Sequence, residues 1–160
     1  MKTLSLNGIW TLKGYSDGSF DRETLSMTAT VPGTAQLELS KNGYVSKDLY
    51  MGENITALEA YEGWNWSYET VFRLTELKPR AFLMFRGVDC FATYELNGVC
   101  IGKSDNMLIP FEFDVSDHLK IGENHLCVKI TSPMEASYCS DHNRYFAVAG
   151  SACYIQSHRY

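Results

Sequence analysis

Leu25-Ser26-Met27-Thr28-Ala29-Thr30-Val31 carries an apolar residue at every odd position and a hydroxyl at every even one. Successive side chains of a strand point to opposite faces, so this run has one face for a core and one for water. Working outward, Trp64-Asn65-Trp66-Ser67-Tyr68-Glu69 repeats the alternation with aromatic rings, and Phe72 extends its apolar face. Further apolar runs stand at residues 82–85, 90–96, 111–115 and 126–130, and residues 9–12 open the series. About seven short strands separated by turn residues predict an all-β sandwich. Asn97-Gly98, between Tyr94-Glu95-Leu96 and Val99-Cys100-Ile101, suits the two positive φ angles of a type I′ turn and predicts a tight hairpin. Gly122-Glu123-Asn124 reads as the break between a short capped turn, Ser116-Asp117-His118-Leu119-Lys120, and the strand that follows.

Helix is scarce in this pattern. Residues 34–41 predict two turns, with Leu37 as the apolar contact and Asn42-Gly43 as the stop, and residues 57–62 predict another. The connection over residues 32–63 exceeds the usual loop length of a compact domain, and such insertions carry contacts with a ligand or a neighbouring domain. From residue 132 to residue 160 the pattern is less regular and ends without a turn or cap, as if cut from a longer polypeptide.

Composition narrows the class. The 160 residues suit a single domain, and 45% hydrophobic against 21% charged residues is the balance of a folded, globular chain. A net charge of -5, with no basic cluster, opposes the phosphate attraction on which nucleic-acid binding depends. No run of about 18 apolar residues points to a membrane, and the opening Met1-Lys2-Thr3-Leu4-Ser5-Leu6-Asn7-Gly8 lacks the apolar core of a signal peptide. Five cysteines cannot all pair internally, and Cys90, Cys100 and Cys127 fall inside strand patterns where a thiol packs as a small hydrophobe. A reducing, cytoplasmic location is the expectation. Asn54-Ile55-Thr56 and Asn65-Trp66-Ser67 match the glycosylation sequon, which we read as coincidence in such a compartment.

A wider set of segments follows in order over residues 4–131. It comprises Leu6-Asn7-Gly8-Ile9-Trp10-Thr11-Leu12, Val31-Pro32-Gly33-Thr34-Ala35-Gln36, the aromatic strand from Trp64 to Phe72, Phe85-Arg86-Gly87-Val88-Asp89 and Leu96-Asn97-Gly98. Ile109-Pro110-Phe111-Glu112-Phe113-Asp114-Val115 and Gly122-Glu123-Asn124-His125-Leu126 complete it. Together these resemble the sugar-binding domain that opens family 2 glycoside hydrolases of the β-mannosidase/β-galactosidase type. The resemblance implies a jelly-roll, galactose-binding-domain-like β-sandwich with one or two short helices. It implies a non-catalytic role at the head of a retaining exo-β-glycosidase, with β-linked carbohydrate as ligand and a downstream (β/α)8 domain bearing the two catalytic glutamates. In such relatives a Gly-Trp-Asp-Trp-Gly-Pro segment reaches toward the sugar. Here Tyr154-Ile155-Gln156 and Arg159-Tyr160 resemble the run-up to it, and the segment itself is not in the sequence.

Retaining hydrolysis needs two carboxyl groups roughly 5 to 5.5 Å apart, one of them with a raised pKa. Glu112 and Asp114 share a strand face about 6 to 7 Å apart, but it is the face opposite Phe111, Phe113 and Val115, and a solvated carboxylate gains no raised pKa. Ser140-Asp141-His142 are consecutive and point apart, so they make no converging triad. Cys139, His142, Cys153 and His158 loosely mimic zinc spacing, and unpaired loop residues are the plainer reading, so neither a metal nor another cofactor is expected. Sugar contact calls for an aromatic ring against C–H faces and planar polar groups against hydroxyls. Core is the plainer reading of Trp64, Trp66 and Tyr61, since alternation puts Trp64, Trp66 and Tyr68 on the buried face, and of these Trp64, nearest the long insertion, is the better ligand candidate. Asp141, Asn143 and Arg144 cluster in the irregular tail, where the resemblance places residues facing the active site, and a solvated polar loop is the plainer reading of them. A stand-alone lectin-like module and a structural docking domain remain the alternative functions.

Overall fold

Every odd residue from Leu25 to Val31 is buried, and every even one is exposed. The structure is a computed structural model and describes residues 3–133. The run forms β2 (Leu25–Val31), paired antiparallel to β1 (Gly8–Tyr15) in register from Gly8 opposite Val31 to Gly14 opposite Leu25. Beyond β1 lie β3 (Asn65–Leu74), β8 (Gly122–Thr131), β5 (Phe91–Leu96) and β6 (Val99–Ser104), giving a six-stranded sheet of order β2-β1-β3-β8-β5-β6. The second layer is β4 (Phe82–Phe85) paired with β7 (Phe111–Asp114). All pairings are antiparallel. The architecture is an all-β jelly-roll sandwich with two short helices among the described residues, the sandwich as expected from the alternation and the jelly roll as the resemblance implied.

The core lies between the layers. Trp10 and Leu12 of β1, Tyr68 and Phe72 of β3, Leu126, Val128 and Ile130 of β8, and Tyr94 and Leu96 of β5 face Leu83 and Phe85 of β4. Rings of Phe85 and Tyr94 stand 4.3 Å apart, and those of Tyr94 and Phe113 4.9 Å apart, so an aromatic cluster joins the sheets. Gly102 lets Phe113 lie against β6, because a Cβ there would overlap the ring. The buried Tyr94 hydroxyl is satisfied by Ser104 Oγ at 2.8 Å. Asn97 and Gly98 adopt φ values of 53° and 81°, the two positive angles of the expected hairpin.

Four readings of the sequence need correction. Gly122-Glu123-Asn124 is not a break but the start of β8, with only Gly122 in a positive-φ conformation. In α1 (Ala35–Lys41), capped by Thr34 Oγ accepting from the Leu37 amide at 3.2 Å, Leu37 is 44% exposed and the core contact is Leu39, 1% exposed. The helix buries the face of Ala35 and Leu39, four residues apart, and Leu37 lies off that face. Cys100 does not pack as a small hydrophobe, because it lies exposed on the edge strand β6, while Cys127 is buried and Cys90 partly so. Finally, Asn65 and Ser67 are fully buried although they point away from the core. The β1–β2 connection folds back over that outer face, where Gly18 O accepts from Asn65 Nδ2 and the Tyr15 hydroxyl pairs with Ser67 Oγ. The sequon at Asn65 is therefore closed to modification in the folded chain.

The helical turn expected at residues 57–62 is a 3-10 helix, Asn54–Tyr61. Among the described residues no helix is long and apolar enough to cross a membrane.

Candidate functional site

The long insertion ends in an aromatic group. Trp64, one residue before β3, hydrogen-bonds through its amide to Tyr61 O at 3.2 Å, so the end of the 3-10 helix turns directly into the strand. Its ring stacks on Trp66 at 5.8 Å and 25°, and Tyr61 packs on it at 4.9 Å. Gly14 of β1 makes room beneath them, since a Cβ there would stand 2.9 Å from both indoles. The segment is tied down by Ser132, whose amide donates to Asn65 Oδ1 at 2.7 Å and whose hydroxyl donates to Glu62 O at 3.0 Å. Trp66 is core, as the alternation implied, and Trp64 is half-buried at the margin of the core. A half-buried indole held by stacking offers a preformed apolar surface that loses little entropy on contact. Asp141, Asn143 and Arg144, the expected polar partners, lie outside the described residues, as do Cys139, His142, Cys153 and His158.

Glu112 and Asp114 fall on the exposed side of β7, as expected. Two hydrogen bonds from Ser116 and, more weakly, Arg80 at 3.7 Å hold the Asp114 carboxyl below the usual carboxylate range. That is the opposite of what a general acid requires. Among the described residues, no three His, Cys, Asp or Glu side chains are grouped so as to hold a metal ion.

An outer-face cluster escaped the sequence reading. Glu69 of β3 accepts from Lys13 of β1 at 3.0 Å and stands 3.7 Å from His125 Nε2 of β8. The Glu69 hydrogen bond raises the Lys13 ammonium pKa above its ordinary value. The cluster borders a shallow depression of about 320 Å³ lined also by Ile9, Thr11, Thr28 and Val71. Its members come from strands paired across the sheet, and no local spacing in the chain brings 13, 69 and 125 together. Trp10 also lines the depression, but it is 2% exposed with its ring in the core, so the depression presents no open indole face and has the composition of a solvated sheet face rather than of a sugar site.

The family model described as glycosyl hydrolase 2 galactose-binding domain-like matches residues 10–157. A probable β-mannosidase of Caenorhabditis elegans is 32% identical over 135 residues, which covers 83% of this chain and 15% of that protein. The β-mannosidase of Rattus norvegicus is 32% identical over 150 residues, covering 88% and 16%. The crystal structure of the β-D-mannosidase of Dictyoglomus thermophilum matches with a TM-score of 0.84 at 26% identity, covering 100% of this chain and 22% of that one. This chain thus spans less than a quarter of each of these relatives. A family match over nearly the whole chain, with relatives above 30% identity, means that the chain belongs to the glycosyl hydrolase 2 galactose-binding domain-like family.

Proposed function

We propose that this chain is the non-catalytic, sugar-binding accessory domain of a β-mannosidase-like glycoside hydrolase that removes terminal β-linked sugars with retention. The observation that carries this reading is the asymmetry of coverage: over four-fifths of this chain aligns with β-mannosidases, yet it accounts for only 15 to 16% of their length. The two carboxylates of the reaction then belong to a (β/α)8 domain further along the same polypeptide. Asp114 supports this division, because Ser116 and Arg80 hold its carboxyl below the usual carboxylate range, the opposite of what a general acid needs, and its strand neighbour Glu112 is simply exposed.

Within such an enzyme the accessory domain contributes to the rim of the glycone pocket. Trp64 would pack against the weakly apolar C–H face of the sugar, while Asp141, Asn143 and Arg144 would meet its hydroxyls. Contacts of this kind bind and orient the sugar, and the proton transfers take place elsewhere. The test compares the 160-residue chain with the complete polypeptide on nitrophenyl β-mannoside and β-galactoside. Turnover is expected from the complete polypeptide alone, with Trp64→Ala raising KM. Hydrolysis by the short chain that vanishes in Glu112→Gln would refute the reading. Micromolar binding of mannose by the short chain in a titration would reassign it as an independent lectin-like module.

A further inference from the structure

We propose that Asn65 and Ser132 are positioning residues for Trp64, a buried clasp on the outer face of β3 that fixes where the sugar-facing indole stands. Trp64 is a sugar contact on the reading above, and the role of the clasp rests on that reading.

Asn65 is completely buried on the outer face of the sheet, a face that antiparallel strands commonly leave to water. A carboxamide taken out of water is destabilising unless its oxygen and nitrogen find partners. Both do: Oδ1 accepts from the Ser132 amide at 2.7 Å, and Nδ2 donates to Gly18 O at 2.6 Å. These partners are 67 and 47 residues away in the chain, so one side chain joins the β1–β2 connection, the start of β3 and the residue after β8. Two residues on, the Ser67 hydroxyl pairs with that of Tyr15 on the same face. The polar positions of Asn65-Trp66-Ser67 are thereby used inside the fold.

Trp64 needs such support because the sheet does not reach it. The register with β1 ends at Tyr15 opposite Asn65, and that with β8 at Ile130 opposite Trp66, so Trp64 lies beyond both. Glu62 and Gly63, just before it, are exposed, and burial does not fix the backbone there. Ser132 does. Its hydroxyl donates to Glu62 O at 3.0 Å while its amide holds Asn65, so one residue grips the chain on both sides of Trp64. Asn65 sets the direction. Successive side chains of a strand point to opposite faces, so an Asn65 held on the outer face turns Trp64 and Trp66 together to the other, where their rings stack at 5.8 Å. The indoles lie so close to β1 that a Cβ at Gly14 would stand 2.9 Å from both, and a shift of the backbone at Trp64 would move its ring off this seat. An indole seated in advance loses less entropy on binding than one that the sugar must order.

The experiment measures KM and kcat of the complete polypeptide on nitrophenyl β-mannoside. The variants are Trp64→Ala, Asn65→Ala, Ser132→Ala and the two doubles that combine Trp64→Ala with either of the others. Asn65→Ala and Ser132→Ala are each expected to raise KM roughly three- to tenfold, the range of one lost hydrogen bond, with kcat within about twofold of wild type. In the Trp64→Ala background both are expected to add nothing further, because residues that act through one side chain are not additive. Ser132→Ala removes a single hydroxyl and decides the matter where Asn65→Ala does not fold. KM unchanged in a folded Ser132→Ala polypeptide, with or without a lower unfolding midpoint, would assign the clasp a structural role alone and overturn the positioning role. KM increases that multiply in the double variants would overturn it too, since they would act independently of Trp64. Both results leave the sugar contact of Trp64 standing. A Trp64→Ala polypeptide with wild-type KM would remove that contact and the role of the clasp with it, and absence of hydrolysis by the unaltered polypeptide would refute the proposed function itself.

Discussion

Cys127 lies on the outer face of β8, opposite Glu69 on one neighbouring strand and Glu95 on the other. Burial first, and then the two carboxylates, push its thiol up to about 12 from an ordinary value of 9.0. A thiol whose folded pKa is raised favours the folded state below the unfolded pKa, and that contribution falls away as pH rises from about 9 to 12. Lys13 and Lys129, raised chiefly by hydrogen bonds to Glu69 and Glu95, act in the same direction above their ordinary value of 10.5. Urea midpoints are therefore expected to fall through this alkaline window, with Cys127→Ala reducing the part that begins near pH 9, to which Cys90, its thiol also pushed up by burial, contributes the remainder. A midpoint flat from pH 8 to 11 in the unaltered chain would contradict this. Alkylation at pH 8 followed by mass spectrometry gives a second measure: Cys100 should react in the native state, and Cys127 only on unfolding. Strand patterning treats these cysteines alike, because it registers an apolar neighbourhood but not whether a further strand covers it. Cys127 has β3 and β5 on its flanks, while Cys100 is on the open edge of the sheet.

Elements with a period of two were legible because one face of each had to be apolar. β2 has the bounds its alternation implies, and β4 those of its apolar run. Ends were less legible where a polar side chain works inside a strand. Asn124 resembles a turn residue, yet it is completely buried in β8 with all four amide positions occupied. Its Oδ1 accepts from the Lys120 amide and Asn97 Nδ2, and its Nδ2 donates to Lys120 O and Gly122 O. Asn97, at the tip of the β5–β6 hairpin, adds a bond to His118 O and accepts from the His125 amide. One buried amide thereby fastens the hairpin and the 116–120 turn to the start of β8. Removing it leaves several buried partners unsatisfied, so Asn124→Ala should cost about 2 to 4 kcal/mol in chemical unfolding. A loss below about 0.5 kcal/mol, the range of ordinary surface substitutions, would show that water replaces the side chain there. The candidate site was legible only in part for the same reason. Trp64 stands out beside a strand start, but its support from Gly14 and Ser132 depends on contacts 50 and 68 residues away in the chain.

At the scale of the whole molecule, the all-β class follows from local patterning, whereas the strand order does not. β3 pairs with β8 across some fifty intervening residues, and nothing in either segment names the other. What selects that order is the joint burial of one face from each strand, a property of the assembled sandwich. Among the described residues the second layer has two strands, so a few rings carry most of their attachment to the first. Phe85 is completely buried, 4.3 Å from Tyr94 and 6.1 Å from Phe113 by ring centroids. Phe85→Ala removes the central ring and leaves a cavity between the sheets, at a cost of about 3 to 5 kcal/mol, a large share of the stability of a domain this size. The expected result is a much lower urea midpoint with a reduced near-ultraviolet aromatic signal and preserved far-ultraviolet strand content, because the six-stranded sheet keeps its own hydrogen bonds. If instead the midpoint moves by less than the equivalent of about 1 kcal/mol, well under the range for such a cavity, the sheets are held together elsewhere. Leu83, the other β4 residue buried in this core, would then be the position to vary.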